Sequence, residues 1–164
     1  MRKSLLTVLI LLLMPIALAA DIICQKTYPY HLQGVATDGT SLYWSFSDWL
    51  VKTDTRGNVI SEIKTVMHSG DLCVTGGKVY IATEEGLYTR ESDFKEEIRV
   101  YDAVTLAHER TFEVPALTNG CSAIAYANGR FYVAAGIPDS LKDKCTRNEV
   151  YEYTEASCTS PSYT

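Results

Sequence analysis

One unit of sequence occurs three times along this chain of 164 residues, and that repetition constrains the fold more than any other feature. The copies begin at Gly34, Asp71 and Ala123 and read GVATDGTSLYWSFS, DLCVTGGKVYIATE and AIAYANGRFYVAAG. Each copy has a short apolar run, a tight turn made by an Asp-Gly, Gly-Gly or Asn-Gly dipeptide, and a second apolar run. Because those dipeptides favour two-residue hairpin turns, each copy predicts a β-hairpin.

A second shared piece follows the hairpin in the first two copies. A strand there ends in an aspartate, Asp54 or Asp102, whose side chain can hold a turn, and a partner strand follows at 59–63 or 111–114. Each unit is therefore predicted to be a four-stranded antiparallel meander. The second unit is longer than the first because the polar insert GLYTRESDFKEE separates its two hairpins.

A repeat of about 40 residues with four strands per copy indicates a β-propeller. The predicted fold is all-β, with about two complete blades plus most of a third, and a generic antiparallel sandwich is the alternative. In the first copy Trp44 and Phe46 are expected in the core, alternating with polar Ser45 and Ser47. In the other copies both faces of the second strand carry bulk for packing between blades: Val79, Ile81, Phe131 and Val133 on one face, Tyr80, Ala82, Tyr132 and Ala134 on the other.

Residues 1–20 have the three parts of a secretory signal peptide: two cations, an apolar run and a small-residue site, with cleavage expected near Ala19 or Ala20. The run is too short to span a bilayer comfortably, and no later segment has the roughly 20 apolar residues that a spanning helix needs. We therefore expect an exported chain, periplasmic or extracellular, in which residues 21–153 form a partial β-propeller domain.

The charge balance bears on the partners. The formal net charge is −5, and it becomes about −7 once Arg2 and Lys3 leave with the signal peptide. A mildly acidic chain without a basic cluster argues against nucleic acid and anionic membrane surfaces as partners. A small molecule, a glycan or a protein remains as the expected ligand. The sequence has no glycine-rich phosphate loop and no GxSxG elbow, so it names no cofactor.

All five cysteines follow the predicted signal peptide, where an oxidising compartment permits disulfides. Their spacing matches no zinc pattern, so one or two structural disulfides are expected in preference to metal ligation. The odd number leaves at least one cysteine unpaired. The sequence leaves the pairing open among Cys24, Cys73, Cys121, Cys145 and Cys158.

Polar residues precede the first strand of each predicted blade. In a propeller these strand entrances lie near the central channel, so residues from several blades converge there. Two of them, in equivalent positions, are histidines, and convergent imidazole, carboxylate and amide groups can bind a ligand. The candidate ligand-binding residues are His31, Gln33, His68, Asp71 and Asn119.

Two other interpretations of these residues stay open. In the first, they only hydrogen-bond loop backbone and keep neighbouring blades in register. In the second, the chain is a hydrolase or lyase acting on a sugar or a peptide-like small molecule, with His68 as general base and Asp71 orienting it. No metal site is predicted, and a binding or scaffold module is the favoured function.

Residues 29–153 contain the stretches HLQGVATDG, LYWSFSDWLVKTDTRGNV, HSGDLCVTGGKVYIA, IRVYDAVTLAHERTFEVP, GRFYVAAGIP and NEVYEY. In this order they resemble a family of secreted bacterial β-propeller proteins of uncharacterised function. That family is distantly similar to the propeller group that includes NHL-repeat, quinoprotein-like and glutamine-cyclotransferase-like domains. The resemblance implies the propeller fold and transfers no particular activity.

The end of the chain departs from that family, in which an aspartate, another strand and further blades would follow. Thr154 stands where Asp54 and Asp102 stand in the earlier units, and residues 154–164 lack strand alternation, which predicts an irregular tail. Closed propellers have about four to eight blades. We therefore expect a C-terminally truncated or frame-shifted fragment of a longer propeller, or a chain that self-associates to complete one. A truncated fragment without function is one of the alternatives.

Overall fold

The computed structural model describes residues 21–85, 95–114, 120–134 and 150–154, and the regular structure within these ranges is β-strand. The strands form three antiparallel sheets, which we call blades 1, 2 and 3. Blade 1 has β1 (Leu32–Thr37), β2 (Ser41–Phe46), β3 (Trp49–Asp54) and β4 (Val59–Lys64); blade 2 has β5 (Ser69–Thr75), β6 (Lys78–Glu85), β7 (Lys95–Asp102) and β8 (His108–Glu113); blade 3 has β9 (Ala123–Ala127), β10 (Arg130–Ala134) and β11 (Val150–Thr154).

Each blade is a meander, with its strands in chain order across the sheet. Two four-stranded sheets and one three-stranded sheet confirm the prediction of two complete blades and most of a third. The registers also show that the units are equivalent, because Ser41 pairs with Asp54 and Lys78 with Asp102. Arg130 pairs with Thr154 in the same way, so β11 extends one residue into the predicted tail.

The two turn-forming aspartates act as the sequence predicts. Asp54 Oδ1 accepts from the amides of Arg56 and Asn58 at 2.8 and 2.9 Å. Asp102 Oδ1 accepts from the amides of Val104 and Thr105 at 3.0 and 2.8 Å. Both side chains therefore supply acceptors that the turn backbone lacks, which fixes the reversal into the last strand of the blade.

The first strands of neighbouring blades approach very closely. A bulge interrupts β1 between Leu32 and Gly34, and another interrupts β5 between Ser69 and Leu72. A Cβ on Gly34 would lie 2.9 Å from Asp71 Cα, and a Cβ on Gly70 would lie 2.6 Å from the carbonyl oxygen of Ser122. Glycine is required at both bulges because another backbone occupies the space of a side chain.

Two buried clusters join the blades. We call the face of a blade that is turned toward the next blade its forward face, and the opposite face its rear face. The first cluster packs the forward face of blade 1, with Tyr43 and Leu50, against Leu72, Val79 and Ile81 on the rear face of blade 2. The second packs the forward face of blade 2 against the rear face of blade 3, through Tyr80, Ala82, Ile98, Val100, Ile124, Phe131 and Val133.

The predicted alternation of the hairpins is confirmed in blade 2, where Val79 and Ile81 lie on one face, Tyr80 and Ala82 on the other, and all four are buried. In blade 1 it is incomplete. Trp44 is buried as expected, but Ser45 and Ser47 are buried too. Ser45 lies in the interface between blades, where its Oγ donates to the carbonyl oxygen of Gly70 at 2.6 Å, so a polar residue takes a core position.

The segment 21–30 lies against the rear face of blade 1. The Tyr28 ring packs on Phe46 with ring centroids 4.7 Å apart and on Trp49 at 5.6 Å. Its hydroxyl donates to Glu62 at 2.5 Å, and the amide of Gln25 donates to the carbonyl of Gly57 at 2.9 Å. This N-terminal strap covers the outer part of a face that none of the three described blades covers.

The three described cysteines, Cys24, Cys73 and Cys121, are free thiols, so no disulfide joins them to one another. Cys145, Cys158 and the predicted signal peptide lie outside the described residues. Over the ranges that the structure describes, no helix is long and apolar enough to cross a membrane.

Candidate functional site

Four of the five polar residues singled out from the sequence, His31, Gln33, His68 and Asp71, lie at one end of the blades, where the first strands begin, which we call the entrance end. His31 precedes β1 and is exposed, and its Nε2 lies 2.9 Å from Gln33 Nε2. Gln33 Nε2 also donates to Ser47 Oγ at 3.5 Å, and the carbonyl of Ser47 accepts from the amide of Ser69 at 3.0 Å. A chain of polar contacts thus runs from the entrance of blade 1 to the start of β5.

His68 holds the equivalent position in blade 2. It lies three residues before Asp71, as His31 lies three before Gly34, and it is half-buried. Burial lowers the pKa of its imidazole, and a hydrogen bond with the backbone of Glu84 opposes that shift. The ring is therefore neutral near pH 7 and can both donate and accept hydrogen bonds.

The backbone of His68 is in the left-handed region, with φ of +64°. Gly120 takes this place in blade 3, three residues before Ala123, and has φ of +88°. Left-handed backbone costs about 1–2 kcal/mol for a residue with a Cβ and almost nothing for glycine. The imidazole of blade 2 is thus placed at a position whose backbone suits glycine.

The hydrogen bonds described for Asp71 do not involve His31 or His68. Its carboxylate accepts from the amide of Leu72 at 2.8 Å and from the amide of Ile124, and its own amide donates to the carbonyl of Ser122 at 2.9 Å. Burial raises the pKa of this carboxyl, while the two amides oppose the shift. These contacts join β5 to β9. They fit the alternative that the sequence analysis left open, in which such residues keep neighbouring blades in register.

Sequence reasoning missed two paired glutamates, one of which, Glu84, contacts His68. Glu84 and Glu96 are cross-strand partners on β6 and β7, and the amide of Glu84 donates to the carbonyl of His68 at 3.3 Å. Burial, and then the charge of Glu96, raise the pKa of Glu84. A signal was available: Glu84-Glu85 directly precede the polar insert and Glu96-Glu97 end it, and strands joined by a hairpin bring such residues together.

Asp48 is another carboxylate at this end that the sequence did not reveal. It lies in the β2–β3 turn, only 5% exposed, and its carbonyl accepts from the amide of Thr65 at 2.8 Å. Its Oδ2 is 3.6 Å from Lys64 Nζ, and its Oδ1 has no hydrogen-bond partner among the described residues. In the sequence, Ser47-Asp48 is an ordinary turn dipeptide, so its burial could not be foreseen.

The thiols near the entrance end are poor nucleophiles. Burial raises the pKa of Cys73 and of Cys121 to about 12 in each case. Cys121 Sγ donates to the carbonyl of Glu97 at 3.4 Å. Within the described ranges, no group of three or more His, Cys, Asp or Glu residues is arranged to hold a metal ion.

No protein-family model matches the chain. No curated protein matches it either. Solved structures do match: Kuenenia stuttgartiensis hydrazine synthase has a TM-score of 0.58 and 18% identity over 77% of this chain and 35% of that one. The WD40 domain of Neurospora crassa Pan2 has a TM-score of 0.55 and 11% identity over 77% and 37%. Glutaminyl cyclase from Myxococcus xanthus has a TM-score of 0.51 and 17% identity over 76% and 48%.

At these identities the likeness concerns the fold alone, and the fold is that of a β-propeller. The chain spans between about a third and a half of the length of these three structures. Within the candidate site the structure brings His31 together with Gln33, and His68 together with Glu84. Asp71 turns to the neighbouring strand, and Asn119 lies outside the described residues.

Proposed function

We propose that this chain is an exported β-propeller scaffold whose entrance end binds a polar ligand through His31, Gln33 and His68. The propeller fold supports the scaffold part of the proposal. The shared position of the two histidines supports the binding part, because each directly precedes the bulge of its first strand. Both imidazoles are at least partly open to solvent.

The backbone of His68 is the observation that carries the binding proposal. An L-residue with a side chain is held at φ +64° where blade 3 has a glycine. Left-handed residues that persist at a conformational cost concentrate at functional sites. The backbone at that position needs only a residue that accepts left-handed φ, so the backbone conformation alone does not require an imidazole.

The chemistry of the site favours an uncharged, hydroxyl-rich molecule such as a glycan. A neutral imidazole, the amide of Gln33 and the carboxylate of Glu84 can each donate to or accept from hydroxyl groups. The described residues offer no cluster suited to a metal ion.

Catalysis has less support. A general base at His68 oriented by Asp71 requires the Asp71 carboxylate to bond the imidazole. The described bonds of that carboxylate go to the amides of Leu72 and Ile124 instead. A hydrolase or lyase at this site would therefore need a different orienting group.

A thermal-shift screen with glycans and divalent metal salts tests the binding proposal, since a ligand specific for the folded state raises the unfolding temperature. We expect a glycan to produce a shift that His68→Gly and His31→Ala abolish. His68→Gly should leave the unfolding temperature without ligand unchanged or higher, because the strain at φ +64° is relieved. His108→Ala is the matched control: this exposed histidine of β8 lies outside the site, so the shift should survive.

A shift that survives both His68→Gly and His31→Ala would contradict the site. A purely structural histidine predicts a different pair of results. His68→Gly would lower the unfolding temperature, and no glycan would shift the unfolding temperature of the unchanged protein. Export is tested separately by the N-terminal residue of the secreted protein, which we expect to follow Ala19 or Ala20.

A further inference from the structure

Among the residues that the structure describes, four other than glycine have left-handed backbone, and two of the four have a local explanation. Leu106, with φ of +59°, is 0% exposed and belongs to the buried cluster between blades 1 and 2, so packing holds it in place. Asn128, with φ of +52°, precedes Gly129 in the hairpin turn of blade 3, and such turns favour asparagine. The other two are Tyr30 and His68.

Tyr30 and His68 both lie at the entrance end, where their neighbours repeat one pattern. Tyr30 directly precedes His31, and Met67 directly precedes His68. The two pairs are equivalent, because the histidines hold the same position in blades 1 and 2. Tyr30 is 66% exposed and Met67 is 42% exposed. Each of these two blades therefore presents an exposed apolar side chain next to its histidine in the chain.

The tyrosine at position 30 has its left-handed backbone at a conformational cost. Its φ of +68° belongs to the bend that leads from the N-terminal strap into β1. Glycine would make the same bend at almost no cost, so the bend does not by itself require an aromatic ring. Such left-handed residues concentrate at ligand clamps and other functional sites. The Tyr30 ring is also exposed, unlike that of Tyr28 in the same strap, which packs on Phe46.

Three backbone amides at the entrance end are already bonded within the fold. They donate to backbone carbonyls at 2.8 to 3.0 Å, in the pairs Thr65 to Asp48, Ser69 to Ser47 and Asp71 to Ser122. An extended peptide that binds by strand addition needs a row of free backbone donors and acceptors. The site therefore favours a ligand that is recognised by side chains.

We infer that Tyr30 is a further binding residue of the entrance end and that its ring stacks on a sugar ring. The inference rests on the proposed function, because it concerns the same site, and it narrows the ligand to a glycan with flat apolar faces, such as a β-linked glucan. A pyranose with equatorial hydroxyls has polar groups around its rim and C–H groups on both faces. The negative face of an aromatic ring attracts those C–H groups, while imidazole and amide groups bond the hydroxyl rim. Met67 supplies a second, adaptable apolar contact.

Isothermal titration calorimetry with cellopentaose tests the inference. Tyr30→Gly should weaken binding roughly tenfold, because the stacking contact is lost. Its unfolding temperature should stay the same or rise, because the strain at φ +68° is relieved. Tyr30→Phe keeps the aromatic face and should bind within about twofold of the unchanged protein. Val104→Ala is the matched control: this valine is 74% exposed on the β7–β8 turn, at the opposite end of the blades, so the affinity should not change.

Ultraviolet difference spectroscopy adds a signal that a merely structural tyrosine would not give. Cellopentaose should perturb a tyrosine absorption band of the unchanged protein. The difference spectrum of Tyr30→Phe should lack that band, although this variant still binds. Sorbitol has hydroxyl groups but no ring faces, so it should neither compete with cellopentaose nor perturb the band.

The failure of this inference differs from the failure of the proposed site. If His68→Gly abolishes cellopentaose binding and Tyr30→Gly leaves it unchanged, the stacking role is overturned and the site stands. If neither variant changes the binding, both are overturned. A protein that binds sorbitol as tightly as cellopentaose, or that binds unfolded peptides and no cellopentaose, would also overturn the glucan as the ligand. The proposed site would survive that result only if His68→Gly abolished the binding of the other ligand.

Discussion

The amide of Asp71 donates to the carbonyl oxygen of Ser122 across 2.9 Å, and the amide of Ile124 donates to the Asp71 carboxylate in return. The two bonds join the first strand of blade 2 to the first strand of blade 3. On its other side, Asp71 lies against Gly34 of blade 1. One side chain therefore contacts the first strands of all three blades.

Asp71→Ala should lower the free energy of unfolding by roughly 1–3 kcal/mol, because the amide of Ile124 loses its acceptor in a partly buried place. Asp71→Asn should cost less, since the remaining amide oxygen can still accept one of the two bonds. Urea unfolding at pH 7 measures both values. Equal stability of Asp71→Ala and the unchanged protein would contradict the bridging role.

Gly70→Ala should destabilise the contact between blades 2 and 3. The added Cβ would lie 2.6 Å from the carbonyl oxygen of Ser122 and 3.0 Å from that of Ala82, and both are backbone atoms that cannot turn away. We expect a loss of roughly 1–3 kcal/mol in the free energy of unfolding. Gly76→Ala is the control: its Cβ meets nothing within 4 Å, so only its φ of +57° contributes, and the loss should be smaller.

The stability should depend on pH through Glu84. Burial and the charge of Glu96 raise the pKa of this carboxyl above the ordinary 4.5, so the folded state holds the proton more tightly than the unfolded state. Its contribution to the free energy of unfolding is largest below pH 4.5 and is lost as the pH rises through the raised value. Denaturant titration across this pH range measures the free energy of unfolding of the unchanged protein and of Glu84→Gln. We expect the difference between the two values to fall as the pH rises.

The carboxyl of Asp71 contributes with the same sign, since its pKa is also raised, while those of Asp54 and Asp102 are lowered and contribute with the opposite sign. The comparison with Glu84→Gln isolates one group from this sum. Glu113→Gln, at an exposed site of β8, is the control for the loss of a charge. A pH-independent difference for Glu84→Gln would rule out the raised pKa.

Thr53→Val should destabilise blade 1 more than Thr53→Ser does. Thr53 Oγ1 accepts from the indole Nε1 of Trp44 at 2.9 Å in a fully buried place, and valine leaves that donor unpaired at a cost of roughly 1–3 kcal/mol. Serine keeps the hydroxyl and loses a methyl group, worth about 0.8 kcal/mol. Thermal unfolding by tryptophan fluorescence measures both, and the reverse order of stability would show that the hydroxyl is unimportant.

Local chemistry made the blades predictable. The turn dipeptides, Asp54 and Asp102 act through contacts a few residues apart, so their effect is written in short stretches of sequence. Alternating side chains likewise placed Tyr80 and Val79 on opposite faces of β6. The positions of His31 and His68 at one end of the blades followed from the repeat alone.

Contacts between blades were not predictable in this way. Ser45 occupies a core position because Gly70, on the next blade, supplies an acceptor for its hydroxyl. Asp71 looked like a partner for His68 in the sequence, but the amide of Ile124 on blade 3 takes its carboxylate. Glu84 gains its raised pKa from burial and from Glu96 on the far side of an insert.

The sequence by itself determined the number of units, their strand order and the end of the blades at which the polar residues gather. Hairpin turns and a side-chain period of two depend on near neighbours, which the sequence states directly. Only the tertiary structure decided which polar groups hold the blades together. That choice depends on which backbone donors and acceptors a neighbouring blade brings within about 3 Å, and no local pattern encodes it.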